Sequence, residues 1–238
     1  MSESAAARNK MVSRVAVPKL RMTSPETSVY AARRQRMVDS QLRGRGIKDE
    51  RVLAAMFEVP RHEFAPEPYR DQAYEDHPLP IAEGQTISQP YIVAIMLESL
   101  GLSPDHRVLE VGTGSGYVTA LLAQLVAQVF SVERHAILAD EARALLASMG
   151  YTNVKVEVGD GSQGFPQAAP YDGIIVSAAA RELPRALLDQ LAEGGRMIIP
   201  VGPLDSQQLQ LIRMENGQPR TTLHELCRFV PLVSGPSS

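Results

Sequence analysis

Features that staple, metallate or anchor a protein are scarce in this 238-residue chain. A single cysteine, Cys227, excludes an intramolecular disulfide and suits a reducing cytoplasm. The five histidines (His62, His77, His106, His135 and His224) are not paired at metal-ligand spacing, which argues against a metal site. No apolar run approaches the roughly twenty residues that cross a bilayer, so no membrane association is expected. A basic surplus is missing too. A net charge of -3 with 44% hydrophobic residues describes a soluble globular protein and offers no broad cationic surface for nucleic acid.

The length suits one α/β domain with additions. Residues 1–29 differ from the rest: Arg8, Lys10, Arg14, Lys19 and Arg21 face only Glu3 and Glu26. They read as a disordered basic extension, or as a start codon assigned too early, with Met11, Met22 or Met37 as alternatives. Residues 30–238 then form a single domain. Within it, 30–104 hold helices and a long loop, 105–202 an alternating core, and 203–238 C-terminal strands and a tail.

Apolar spacing predicts helices over Val29 to Arg45, Asp49 to Val59, with Asp49 as cap and Pro60 as stop, and Tyr91 to Leu100. Strands follow at Arg107 to Val111, Gln128 to Val132, Asn153 to Val158, Gly173 to Ser177 and Met197 to Val201. Helices Ile137 to Met149 and Ala186 to Leu191 lie between them. Repeated βα units imply a doubly wound, mostly parallel sheet with helices on both faces. Gln208 to Met214 and Thr221 to Val230, around Glu215-Asn216-Gly217, predict a hairpin.

The densest signal is VLEVGTGSGYVT, Val108 to Thr119. A buried strand ends there in Glu110 and breaks into Gly112, Gly114 and Gly116 before a helix opens at Tyr117. Glycines at such a turn permit positive φ and close approach to a ligand, and Gly116 lets the helix begin close against the sheet. A dinucleotide fingerprint would need glycine at position 117, where this chain has tyrosine. The G-x-G-x-G spacing resembles instead the first motif of class I methyltransferases, which hold S-adenosylmethionine.

In a doubly wound sheet the ligand sits at the carboxyl ends of the strands, which directs attention to Glu110, Glu133, Asp160 and Ser177. Glu133, 21 positions beyond Gly112, can accept hydrogen bonds from two ribose hydroxyls, or be a solvated loop acid. Asp160, within Gly159-Asp160-Gly161, can accept from an adenine amino group or belong to a common turn. The loop EGQTISQP, Glu83 to Pro90, carries hydroxyls at Thr86 and Ser88. Ser88 before Gln89-Pro90 also reads as an ordinary helix cap. No G-x-S-x-G surrounds it, so a hydrolase nucleophile is disfavoured.

Taken together, the motifs resemble the bacterial protein-L-isoaspartate O-methyltransferases over about Leu42 to Leu232. The similarity runs through GIKDERVLAAMFEVPRHEF (Gly46 to Phe64), LPIAEGQTISQP (Leu79 to Pro90), VLEVGTGSGYVTA, VFSVER (Val129 to Arg134) and GDGSQG (Gly159 to Gly164). PYDGIIVSAAA, LLDQLAEGGRMIIPVG and FVPL continue it. The TIS loop and VPRHEF are its most specific parts. The resemblance implies methylation of the α-carboxyl of L-isoaspartyl residues in damaged proteins, with S-adenosylmethionine as donor. It further implies Ser88 as the active-site residue. Gln85, Thr86, Ile87, Glu110, Gly112, Gly114, Ser115, Gly116, Glu133, Arg134, Asp160 and Gly161 would surround the cofactor. Thr86, Ser88 and Val230 would touch the acceptor peptide. Ser162, where relatives often carry tryptophan, and Ser177, where threonine is usual, are departures. Competing readings are a methyltransferase for another carboxyl or small molecule, and a non-catalytic cofactor-binding module.

Overall fold

The structure, a computed structural model, describes residues 25–235. The expected extension at 1–29 lies mostly outside them. Helix α1 (Pro25–Arg36) begins four residues ahead of the expected Val29 and runs through a π-helical turn, Met37–Leu42, into a 3-10 turn, Arg43–Arg45. Helix α2 (Glu50–Glu58) starts where its cap predicts: the Asp49 carboxylate accepts from the Arg51 and Val52 amides at 2.8 and 3.3 Å. Helix α3 (Pro90–Leu100) follows a two-stranded antiparallel pair, β1 (Leu79–Pro80) with β2 (Thr86–Ile87). The sequence pattern did not reveal that pair, because two-residue strands carry no periodicity.

Seven strands form the main sheet: β3 (Arg107–Val111), β4 (Gln128–Glu133), β5 (Val154–Val158), β6 (Tyr171–Val176), β7 (Leu191–Val201), β8 (Gln207–Glu215) and β9 (Gln218–Cys227). Their order is β5-β4-β3-β6-β7-β8-β9. The first five pair in parallel, and β8 and β9 join antiparallel. The expected doubly wound, mostly parallel sheet is therefore present, with helices α4 (Tyr117–Leu125) and α5 (Ala136–Ser148) in the crossovers.

Alternation along the strands divides the core by face. Val108, Ile175 and Ile198 join a cluster with α2, α3 and α4, while Leu109, Val111, Ile174, Val176, Met197 and Ile199 join the other. Both faces of the sheet are covered, which is why these strands read as continuous apolar runs. The hairpin between β8 and β9 turns on Asn216 and Gly217 alone, both at positive φ, as a twist-matched two-residue loop requires. The Glu193 carboxylate accepts both their amides.

Several boundaries differ from expectation: β9 runs Gln218–Cys227, three residues ahead of the expected span, and the largest shift lies around α6. Helix α6 (Arg185–Leu188) is four residues long, and β7 begins at Leu191 instead of Met197. The buried Gln190 side chain explains the early stop. Its amide donates to Ala186 and Gln163 carbonyls and accepts from the Phe165 amide, while its own carbonyl accepts from Tyr171 N. The chain is committed to β6 before a longer helix can form.

Behind the end of β3 sits a buried polar relay. Glu110, fully inaccessible, accepts on Oε2 from the hydroxyls of Thr119 and Ser131, both at 2.6 Å. Ser131 Oγ in turn lies 2.6 Å from Thr113 Oγ1, so Thr113 is the donor of that bond. The relay ties the glycine turn (Thr113), α4 (Thr119) and β4 (Ser131) to one carboxyl. Glu110 Oε1 is buried without a partner, a costly place for a charge.

Burial accordingly pushes the Glu110 carboxyl from its ordinary 4.5 up to about 8; the Ser131 and Thr119 bonds oppose the rise and the Glu133 charge adds to it. The folded chain thus holds a proton that the unfolded chain has lost. Glu110's contribution to stability is complete below pH 4.5 and disappears as pH climbs through about 8. Glu110→Gln keeps the shape and cannot ionise. Its melting temperature, compared with wild type across this window, should gain steadily with pH and level off above about 8. A difference independent of pH would show that Glu110 is already ionised in the fold.

Candidate active site

The carboxyl ends of β3, β4 and β6 open on a cavity of about 380 Å³, within the range of small-molecule sites. It lies where the strand order reverses, with β4 on one side of β3 and β6 on the other. Gly112, Gly114 and Gly116 all have positive φ, at 91°, 53° and 86°. A side chain there would strain the turn and intrude on the space its backbone faces. For Gly116 the crowding partner is α5, not the sheet as expected: a Cβ would stand 3.3 Å from Ala142 Cβ and 3.4 Å from Leu146 Cδ1.

Glu133 ends β4, nearly buried at 5% exposure. Its Oε2 accepts from Gly114 N at 2.9 Å and its Oε1 from His135 N at 3.0 Å. A carboxylate offers about four lone-pair sites. With two engaged by backbone amides, Glu133 is both the brace of the glycine turn and an acceptor with capacity left for a ligand.

The third wall is the loop from β1 to α3. Ile81 N donates to Gln85 O and Gln85 N to Ala82 O, folding the loop tightly, and Glu83 takes a positive φ of 55°. Glu83 Oε2 lies 3.6 Å from His135 Nδ1, an ion pair between the loop and the end of β4 when the imidazole is protonated. Leu79 and Ile87 are buried anchors, so extended backbone turns Thr86 and Ser88 the other way, to the cavity.

The fourth wall is C-terminal. Buried Gln207 accepts from Phe229 N, and the following residues pair with Ala179: Ala179 N donates to Val230 O and Leu232 N to Ala179 O. Arg134 Nη1 holds Val233 O at 2.9 Å, and Asp160 Oδ2 accepts from Gly235 N at 2.8 Å.

Of the residues singled out in the sequence, Gln85, Thr86, Ile87, Ser88, Gly112, Gly114, Ser115, Glu133, Arg134, Gly161 and Val230 line this cavity. Glu110, Gly116 and Asp160 do not. Glu110 stands wholly behind the turn, so direct contact gives way to support through Thr119 and Ser131. Gly116 is packed against α5. Asp160 is spoken for by Ser162 N and Oγ on Oδ1 and by Gly235 N on Oδ2. Partial burial works to raise its pKa, but these bonds outweigh it and hold the carboxyl below its ordinary value. Ser162 thus acts as a donor to Asp160 through both its amide and its hydroxyl. Beside it, Gly161 must be glycine, since a Cβ would come within 2.5 Å of Val111 Cγ1.

The capping reading of Ser88 does not hold. The cap position of α3 is Gln89, and among the described residues the Ser88 hydroxyl has no hydrogen-bond partner. Residues that the sequence reading passed over also line the cavity, among them Tyr117, Val118 and His135. Tyr117 explains the VPRHEF segment. Its ring lies 4.9 Å from the buried Arg61 guanidinium and edge-on to Phe64 at 5.6 Å. The segment therefore acts on the cavity through this tyrosine. Position 117 was read as a missing glycine and a helix start, although a large aromatic at that point was itself a signal.

Comparison with known proteins follows the geometry. A family model described as Protein-L-isoaspartate(D-aspartate) O-methyltransferase matches residues 32–237. The protein-L-isoaspartate O-methyltransferase of Koribacter versatilis is 56% identical over 210 residues, covering 88% of this chain and 95% of the relative. That of Methanoculleus marisnigri is 56% identical over 201 residues, covering 84% and 91%. Among solved structures, a protein-L-isoaspartate O-methyltransferase superposes with a TM-score of 0.77 at 31% identity, covering 86% of this chain and 67% of its own. A Plasmodium falciparum structure of that description, in complex with S-adenosyl-L-homocysteine, gives 0.74 at 30% identity, covering 84% and 98%. This chain belongs to the protein-L-isoaspartate(D-aspartate) O-methyltransferase family.

Proposed function

We propose that this chain methylates the α-carboxyl group of L-isoaspartyl residues in damaged proteins and peptides, with S-adenosylmethionine as donor. Its family membership supports the reaction. The observation that carries the assignment of residues is that one cavity joins the glycine turn and Glu133 to the Thr86–Ser88 loop.

The residues fit the cofactor. Glu133 keeps acceptor capacity for ribose hydroxyls, and Val111, Val132 and Gly161 make an apolar slot for a flat ring. Gly112, Gly114 and Ser115 would hold the methionine side and Gln85 to Ile87 with Arg134 the rest of the group, all of them lining the same cavity. Asp160, which already accepts three hydrogen bonds from Ser162 and Gly235, would shape the adenine end by fixing both. When bound, the cofactor supplies an electrophilic methyl group on a sulfonium.

The acceptor needs little activation. An α-carboxyl with an ordinary pKa of about 3.5 is ionised at neutral pH, so no general base is required. Ser88 donates its hydroxyl to one carboxylate oxygen and turns the other toward the methyl group, with Thr86 and Val230 bounding the acceptor side. Aligning the reactants and excluding water are then the protein's main tasks. Cys227, whose thiol burial pushes up to about 11, plays no nucleophilic part and is consistent with a reducing compartment.

Two measurements check this reading. Labelled methyl groups should transfer to an isoaspartyl peptide and not to its aspartyl twin; equal labelling of both would refute the specificity. Ser88→Ala should lower kcat about 10-fold or more while S-adenosylhomocysteine affinity stays within about 2-fold, because only an orienting contact is removed. Normal turnover with a lowered melting temperature would return Ser88 to a structural role.

A further inference from the structure

The structure assigns Asp76 as the positioning residue that caps α3 in place of Ser88 and so leaves the Ser88 hydroxyl for the acceptor, an inference that rests on the function proposed above. A helix beginning Ser88-Gln89-Pro90 would ordinarily satisfy its first amides with the serine. Here Pro90 has no amide to give, and Gln89, at the cap position, makes no side-chain capping bond. The capping acceptor comes from a distant loop. Asp76 Oδ1 accepts from Tyr91 N at 3.1 Å, and Oδ2 accepts from Gln89 Nε2 at 2.8 Å.

Asp76 is itself fixed. Its carboxylate, with a side chain 20% exposed, pairs with Arg45, whose guanidinium lies over the Tyr91 ring 3.4 Å from its centroid. Tyr91 OH donates back to Arg45 O at 3.4 Å. One carboxylate thus joins the helix amide, the side chain next to Ser88 and a cation from the N-terminal helices. Its negative charge also suits the positive end of the helix.

Ser88 stands between two anchored neighbours. Ile87 is 4% exposed in the core, and Gln89 is held by Asp76, while Ser88 itself makes no hydrogen bond among the described residues. Without Asp76, the cheapest repair is for the Ser88 hydroxyl to swing onto the vacant α3 amide, which takes it off the acceptor carboxylate. The predicted defect lies in turnover, not in cofactor binding.

The test measures kcat and KM for an isoaspartyl peptide, S-adenosylhomocysteine affinity and melting temperature in wild type, Asp76→Ala, Asp76→Asn, Ser88→Ala and the Asp76→Ala/Ser88→Ala double variant. Asp76→Ala should lose about 10- to 100-fold in kcat, the cost of a misplaced reacting group, with S-adenosylhomocysteine affinity within about 2-fold. Asp76→Asn, which keeps an acceptor for Tyr91 N, should recover most of that loss. The double variant should be no slower than Ser88→Ala alone, because Asp76 acts through Ser88. Multiplying defects, or parallel losses of turnover and cofactor affinity, would overturn the assignment. Should Asp76→Ala fail to fold, Gln89→Ala removes one arm of the contact, freeing the residue next to Ser88, while the Asp76 bond to Tyr91 N remains. It should lower kcat in the same selective way, and unchanged kcat would overturn the assignment. Wild type inactive on the isoaspartyl peptide would sink the proposed function itself, whereas active wild type beside fully active Asp76 variants would sink only the role of Asp76.

Discussion

The amide of Gly114 donates to the carboxylate of Glu133, and the rest of the site is arranged around that bond. It locks the turn that leaves β3 to the end of its neighbour β4, so the two strand ends move as one body. Because Glu133 also accepts from His135 N, the same carboxylate fixes the start of α5. His135 then stands in place to meet Glu83, and Arg134 to hold Val233. The active-site loop and the C-terminal wall are therefore both referred to the residues around Glu133, although they come from opposite ends of the chain.

The support beneath that bond is polar and neutral. Glu110, Ser131, Thr119 and Thr113 form a relay under the turn, with Glu110 held protonated by burial up to about pH 8. Two acids at adjacent strand ends thus sit in different settings. Glu133 faces the cavity, where the turn amides meet it, and Glu110 stays neutral behind it. Ionising both would place two carboxylates on either side of one turn, and the Glu133 charge already contributes to the rise at Glu110.

What the sequence disclosed follows the range of each interaction. The glycine turn, the order of βα units, the Asp49 cap and the Asn216-Gly217 hairpin are set by backbone geometry over a few residues, and all were legible. Ser88 was ambiguous because its local context really is that of a cap. Only the loop carrying Asp76, folded back twelve positions upstream, decides otherwise. Glu110 and Asp160 were read as ligand contacts because an acid at a strand end looks the same whether it faces a cavity or a ring of protein donors. Ser131 and Thr119 give no sign in sequence that they converge on one carboxyl. The C-terminal wall was legible only at Val230, since the register of Pro231 to Gly235 depends on buried Gln207 and on Ala179.

The distribution of charge in the cavity bears on how it accelerates transfer. Among the described lining residues, the carboxyl, guanidinium and imidazole groups of Glu133, Arg134 and His135 all come from one connection, while the loop before α3 contributes the hydroxyls of Thr86 and Ser88. In this reaction a cationic donor and an anionic carboxylate lose their charges together, so the transition state is less polar than the reactants. A cation against the carboxylate would stabilise the reactants more than the transition state and slow the transfer. A neutral hydroxyl orients the same oxygen without that penalty, and apolar walls such as Val118, Val111 and Tyr117 keep out the water that would favour the separated charges. The absence of a lysine or arginine from the acceptor loop is then a requirement of the chemistry. On the function proposed above, specificity comes instead from shape and from the hydroxyl's direction, which gives the anchoring of Ser88 between Ile87 and Gln89 its bearing on acceptor choice.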